Sequence, residues 1–305
     1  DIKVSIIIPT YNGGKLWGES AKAIRESYSK RCEVLVIDSS SSDSTVDVAR
    51  KYNFTIEIIP SSEFNHGGTR NKAVKNSVCD IVVFMTQDAI PKKESIDRIL
   101  APFSDPDVVC AYGRQLPHHD ANPLAKHARE FNYGNVSYVI DITDRERLGL
   151  KTVFMSNSFS AYRVTTFNDL GAFPENTILC EDMYLTAKAV LGNFKVAYVA
   201  DAEVYHSHNY TVVEEFKRYF DIGVFHQDEP WIRQSFGGAG GEGKKFILSE
   251  IKYLLKNGGL WLPIACVNNL AKLAGYKLGQ KYKKLPASFR RKLSMHKRYW
   301  DNFSE

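Results

Sequence analysis

At 305 residues, 44% of them hydrophobic, the chain can bury a substantial core and exceeds the usual single domain, so one large domain with an appendage is expected. A net charge of +5, with an ordinary 25% share of charged residues, excludes a nucleic-acid binder driven by overall charge. Cys32, Cys79, Cys110, Cys180 and Cys266 lack CxxC spacing, which argues against a zinc site or disulfide framework and for a reducing cytoplasm; no 18-residue apolar span or signal-like start suggests an integral membrane protein.

Short apolar runs recur through the first 115 residues: VSIII (4–8), EVLVI (33–37), FTIEII (54–59), IVVFM (81–85) and VVCAY (108–112). Their length and Val/Ile content predict buried strands, and the intervening patterns predict helices over 15–28, 44–52, 67–76 and 94–102. Strands alternating with helix-length connections predict a parallel α/β sheet, whose ligands bind beyond the carboxyl ends of the strands. Polar clusters stand at three of those ends: Pro9, Thr10, Tyr11 and Asn12 with Gly13; Asp38 with Ser39 and Ser40; and Thr86, Gln87 and Asp88. An aspartate at a strand end is also a common turn former, so Asp88 alone decides nothing.

A second block from about 150 to 206 carries SNSFSAYR, CEDMYLTAKAVLG and FKVAYVADAEVYHSHNY, with a helix expected over 182–191. Beyond 211 the pattern becomes helical and basic, which sets a boundary near residue 210; GGAGGEG (237–243) reads as the clearest flexible segment.

VSIIIPTYN, VLVIDSSSSDST, FNHGGTRN, FMTQDAIP, CEDMYL and VYHSHNY stand in an order and spacing that resemble the family-2 glycosyltransferases over roughly residues 3–210. FNHGGTRN and TQDA resemble the rhamnosyltransferase-type subgroup. The resemblance implies a GT-A fold of α/β class, with a mostly parallel central sheet flanked by helices. It implies a catalytic domain at 1–210, divided into a nucleotide-sugar half (1–115) and an acceptor half (116–210), and a helical, basic C-terminal region at 211–305. The implied reaction is inverting transfer of a sugar, foremost L-rhamnose from dTDP-rhamnose, to a saccharide or polyprenyl-diphosphate-linked acceptor in surface polysaccharide synthesis. A UDP-sugar-dependent transferase of the same fold and a lapsed nucleotide-sugar-binding scaffold are the competing readings.

The chemistry gives these residues distinct tasks. Cleaving a nucleotide sugar leaves extra negative charge on a diphosphate, which a divalent Mn²⁺ or Mg²⁺ held by carboxylates stabilises as a Lewis acid. Asp88 is the expected metal ligand, but Thr86 stands where relatives place a first acid, so a second protein ligand is needed. His206 is expected to supply it, with His208 as the alternative. Asp38 is expected to accept the imide N–H of uracil or thymine, while Ser42, Asp43 and Ser44 can cap the following helix. Arg70, near a helix start, is expected to meet the diphosphate or the base, and Gln87 joins the donor-binding set. The resemblance assigns the general base to Asp182, with Glu181 positioning acceptor or base, although two acids at a helix start also suit the macrodipole. Ser156, Asn157 and Ser158 are expected to line the acceptor pocket.

Nine Lys or Arg fall between 277 and 298, with no acid from 277 to 300. Such a run is most often a solvated helix face; interleaved with Leu, Phe, Tyr and Trp it also suits an anionic membrane surface, as a peripheral enzyme at the inner face of the membrane requires.

Overall fold

The computed structural model describes residues 2–29, 32–238, 240–301 and 303. In chain order the elements are β1 (Val4–Thr10), α1 (Gly14–Glu26), β2 (Cys32–Asp38), α2 (Thr45–Lys51), β3 (Thr55–Ile58), α3 (His66–Asn76), β4 (Ile81–Met85), β5 (Ile90–Pro91), α4 (Ser95–Leu100) and β6 (Val108–Leu116). They continue with α5 (Pro123–Asn132), β7 (Tyr138–Ile140), α6 (Arg145–Leu148), β8 (Phe159–Arg163), α7 (Val164–Asp169), α8 (Glu181–Leu191) and β9 (Lys195–Tyr205). The rest is helical: α9 (Val212–Asp228), α10 (Pro230–Phe236), α11 (Gly240–Asn257), α12 (Leu262–Gly279), α13 (Ala287–Leu293) and α14 (Lys297–Asp301).

Two compact units result, one of residues 1–118, 133–175 and 181–206, the other of 119–132, 176–180 and 207–305. The first is built on a sheet ordered β3-β2-β1-β4-β8-β6-β9-β5, with β7 paired to β9. Ile6, Ile8, Val36, Val83 and Met85 are fully enclosed; each buried aliphatic contributes about 1.5–3 kcal/mol, which is why these runs specify central strands. β3, β2, β1 and β4 are parallel, as the alternating pattern predicts. The second block adds what that pattern does not contain: β8 lies antiparallel between β4 and β6, and β6 then pairs in parallel with β9. Two antiparallel steps restore the original direction. The carboxyl ends of β1, β2, β4, β6 and β9 therefore share one edge, and the start of β8 joins them there.

Asn65 caps α3 by accepting the Gly68 N–H at 2.7 Å. The first glycine of FNHGGTRN is needed for a contact inside the chain, since a Cβ on Gly67 would sit 2.1 Å from the Pro174 carbonyl oxygen.

In the second unit α9 opens with a Thr211/Glu214 capping box, and α12 packs closely along it. A Cβ on Gly275 or Gly279 would lie 2.3 Å or 2.0 Å from the backbone oxygens of Phe216 or Phe220, so small residues set this helix crossing. The segment expected to be flexible departs from that reading: residues 240–243 begin α11, while residue 239 lies outside the described residues. In the basic C-terminal stretch Phe289 is exposed, while other residues turn inward. Tyr282 is buried and donates to Asp228 at 2.8 Å, Arg290 is buried and donates to the carbonyls of Tyr282 and Leu285, and Trp300 lies against the rings of Tyr282 and Phe303.

Candidate active site

The donor-side cluster is a loop whose amides are held by side chains. Thr10 donates to Asp38 Oδ1 at 2.8 Å, and Asp38 also accepts from the Ser41 hydroxyl (2.6 Å) and the Ser41 N–H (2.8 Å). Asp38 is fully enclosed and spends three of its roughly four acceptor positions on the chain itself, so its evident work here is to fix the β1 and β2 ends. Tyr11 and Gln87 form a reciprocal pair, the Tyr11 N–H to Gln87 Oε1 at 2.8 Å and Gln87 Nε2 to the Tyr11 carbonyl at 3.1 Å. Asn12 adopts a left-handed conformation (φ 45°), donates its N–H to Ser41 Oγ and accepts the Ser42 N–H. Gly13 and Gly14 donate to Thr45 and Asp43. Pro9 is half-buried at the end of β1, and Tyr11 is 47% exposed at this edge.

At the β4 end, Asp88 is half-buried, and its backbone carbonyl accepts from His118 Nε2 at 3.1 Å. His206 Nε2 lies 3.5 Å from Asp88 Oδ1. The other ring nitrogen, Nδ1, donates to Gln115 Oε1 at 2.8 Å, so in the neutral ring Nε2 presents a lone pair toward a carboxylate oxygen. A neutral ring and the carboxylate together could hold a cation. Thr86, where the resemblance puts an acid, keeps a buried hydroxyl oxygen without a hydrogen-bond partner beside this strand end. His208 follows two residues after His206 in the sequence. The donor set of Asp88 and His206, one carboxylate with one imidazole, suits Mn²⁺ and leaves coordination positions for phosphate oxygens.

The acid pair begins α8. Glu181 is buried and accepts from Arg70 Nη1 at 3.3 Å and from Asn157 Nδ2 at 3.0 Å. Burial pushes its carboxyl up, but the Arg70 guanidinium, then His66 and the Asn157 amide, outweigh that and hold it below its ordinary value. Asp182 accepts the Asn157 N–H at 3.0 Å and the Met183 N–H at 2.7 Å, one on each oxygen. Burial, then the neighbouring Glu181 charge, raise Asp182 to about 7. Each oxygen retains a lone pair, so the group can accept a proton near neutral pH.

Arg70 therefore sits elsewhere than the sequence suggests. It is buried, bound to Glu181 and the His66 carbonyl, with Phe84 under its guanidinium. Asn157 likewise turns inward: its amide oxygen accepts from Ser160 (2.8 Å) and Tyr162 (2.9 Å), while its two N–H groups reach the two acids. Ser156 accepts from Gln115 Nε2 at 2.9 Å, and the Ser158 carbonyl accepts the Thr86 N–H at 3.4 Å. Hydrogen bonds thus link His206 through Gln115 to Ser156, and Asn157, the next residue along the chain, binds the acid pair. Gln115 is absent from the sequence-derived candidates. The strand-end rule that selects Asp38 and Asp88 finds it once the fifth strand is extended to residue 116.

The open sheet with polar strand ends gathered at one edge is the fold of the GT-A glycosyltransferases, as the family match and the solved structural neighbours show. Residues 5–171 match the Glycosyl transferase family 2 model, and the chain belongs to that family. It is a glycosyltransferase. It is 52% identical to the O-antigen chain rhamnosyltransferase WbaN of Salmonella anatum, over 98% of this chain and 96% of that protein. The O-antigen chain rhamnosyltransferase RfbN of Salmonella typhimurium is equally similar, at 52% over 99% and 97%. Among solved structures, the mannosyltransferase PcManGT from Pyrobaculum calidifontis in complex with GDP-Man and Mn²⁺ has a TM-score of 0.58 at 19% identity, covering 98% of this chain and 85% of that one. The Staphylococcus aureus TarS complex with UDP-GlcNAc gives 0.56 at 16%, covering 93% and 92%. At those identities the likeness is one of fold.

Proposed function

We propose that this chain transfers L-rhamnose from dTDP-rhamnose to a saccharide or polyprenyl-diphosphate-linked acceptor during O-antigen assembly, with inversion at the anomeric carbon. The observation that carries the choice of sugar is the 52% identity to O-antigen rhamnosyltransferases across nearly the whole of both chains. Residues 1–210 form the catalytic portion in this reading, with donor contacts from 1–115 and acceptor contacts from 116–210. The enzyme works at the cytoplasmic face of the membrane, where such an acceptor is presented.

Asp182 is the general base. It takes the proton of an acceptor hydroxyl while that oxygen attacks the anomeric carbon, and the sugar–phosphate bond breaks to release dTDP with its bonding electron pair. Glu181, fixed by Arg70, keeps the base near neutrality; Asn157 orients both acids. Tyr11, Gln87 and the loop of Pro9, Thr10 and Asn12 receive the nucleotide, while Asp38 holds that loop and Arg70 acts through Glu181. Ser156 and Ser158 face the acceptor side. Mn²⁺ or Mg²⁺ held by Asp88 and His206 would neutralise charge on the departing diphosphate.

The test is a donor screen: dTDP-rhamnose, UDP-sugars and GDP-sugars, each with and without Mn²⁺ or Mg²⁺, scored for transfer and for the nucleoside diphosphate released. Metal-stimulated release of dTDP from dTDP-rhamnose alone among these donors is expected. Preference for a UDP-sugar overturns the choice of donor, and binding without turnover leaves the scaffold reading.

A further inference from the structure

On α12, Pro263, Ile264, Cys266, Val267, Leu270, Leu273 and Ala274 are all exposed, and Lys277 is the one charged residue on that face. This is the reverse of a water-facing helix, which presents polar side chains outward. On α11, Ile247, Leu248, Ile251 and Leu255 form a second exposed stripe, with Lys244, Lys252 and Lys256 beside it at helical spacing. The short turn joining the helices, Gly259–Trp261, carries Leu260 with 93% of its surface in solvent. Isolated exposed leucines are ordinary, but a contiguous set of this size marks an interaction surface.

Charge selects the partner. Between residues 243 and 300 there are fourteen Lys or Arg and a single acid, Glu250, which is buried and bound by Asn269. A second copy of this chain would bring like charge against like charge, whereas an anionic lipid surface is complementary to both the leucines and the lysines. No helix among the described residues is long and apolar enough to cross a membrane.

We infer that the outer faces of α11 and α12, with Leu260 at the turn between them, form a surface that lies on an anionic lipid bilayer. The basic run at 277–298 supports the attraction from beside this face, since Tyr282 and Arg290 are committed to the interior. The inference rests on the proposed lipid-linked acceptor for its purpose, but its evidence is the surface itself.

Full-length protein is mixed with phosphatidylcholine vesicles, with and without phosphatidylglycerol, and binding is read by flotation across a salt series. Binding to the anionic vesicles is expected. Leu255→Gln with Leu270→Gln should reduce it at least about tenfold at every salt concentration. Lys252→Gln with Lys256→Gln should reduce it roughly fivefold per lysine at low salt and little at high salt, where screening is complete. Thermal melting and dTDP binding, unchanged in both variants, verify folding. Failure to bind anionic vesicles, or binding indifferent to the leucine substitutions, overturns the inference. So does a soluble dimer that the leucine substitutions dissociate, which would make this face a contact between copies. Vesicle binding by a protein that transfers no rhamnose would instead count against the proposed function alone.

Discussion

Glu181 and Asp182 are held from within the chain: a guanidinium and the Asn157 side-chain amide on Glu181, and the backbone N–H groups of Asn157 and Met183 on Asp182. Asp88 and His206 stand 3.5 Å apart, with the His206 ring oriented by Gln115. The first region is pre-organised before any ligand arrives. In the proposed reaction the second also holds a cation that comes with the donor. In the proposed reaction proton removal depends on a rigid interior and phosphate stabilisation on what binds with the donor, so the two should respond differently to mutation, pH and added metal.

The largest effect should come from Asp182→Asn. Losing a general base costs about 10²- to 10⁴-fold in rate, whereas losing a helix-dipole contact costs a few tenths of a kcal/mol, so the two roles separate by magnitude. Donor affinity should stay near that of the parent, and a transfer rate within threefold of it would remove the assignment. In the parent, kcat/KM should rise with pH to a midpoint near 7 and fall about tenfold per unit below it. Stability should run the other way. The folded-state pKa of Asp182 lies above its unfolded value, so this carboxyl favours folding at low pH and that contribution is lost as pH rises from about 4 to about 7. Thermal melts of parent and variant should show a smaller difference between pH 5 and pH 8 in Asp182→Asn.

Next in size is the Arg70–Glu181 pair. Arg70→Met leaves Glu181 buried without its cation and should destabilise the fold by about 3–5 kcal/mol, measured by urea unfolding. Glu181→Gln keeps the shape and the Asn157 contact region but removes a charge that raises Asp182, so the kinetic midpoint should move below 7. An unmoved midpoint would show that the acids titrate independently and that Glu181 does not tune the base.

This interior is the part that the sequence conceals. Runs such as IVVFM and VLVID announce β4 and β2 because strands covered on both faces must be continuously apolar, and the polar residues after them mark the edge proposed as the site. The helices expected at 15–28, 44–52, 67–76, 94–102 and 182–191 correspond to α1, α2, α3, α4 and α8. β8 is less legible: FSAYR has one central polar residue and ordinary neighbours, and only pairing with β4, some 80 residues away, makes it a central strand. Arg70 shows the same limit. Residue type predicts an anion partner, but whether that is a phosphate or Glu181, 111 residues along the chain, is a fact of tertiary structure.

The smallest effect concerns Gln115, and it tests the second region most directly. Its amide oxygen accepts from His206 Nδ1, and its Nε2 donates to Ser156, so it sets which ring nitrogen faces Asp88 and where the ring stands. Partners of this kind typically contribute 10- to 100-fold in metal affinity. Mn²⁺ titration by calorimetry, with dTDP present, should therefore show nearly complete loss for Asp88→Ala and a loss of about 10- to 100-fold for Gln115→Leu. Gln115→Glu, which keeps an acceptor opposite Nδ1, should bind close to the parent. The pH midpoint assigned to Asp182 should stay put in all three, because that group is fixed by Asn157 and Glu181 rather than by the histidine. Equal Mn²⁺ affinity in Gln115→Leu and the parent would mean that His206 needs no orienting partner, and the contrast between the two regions would lose its structural basis.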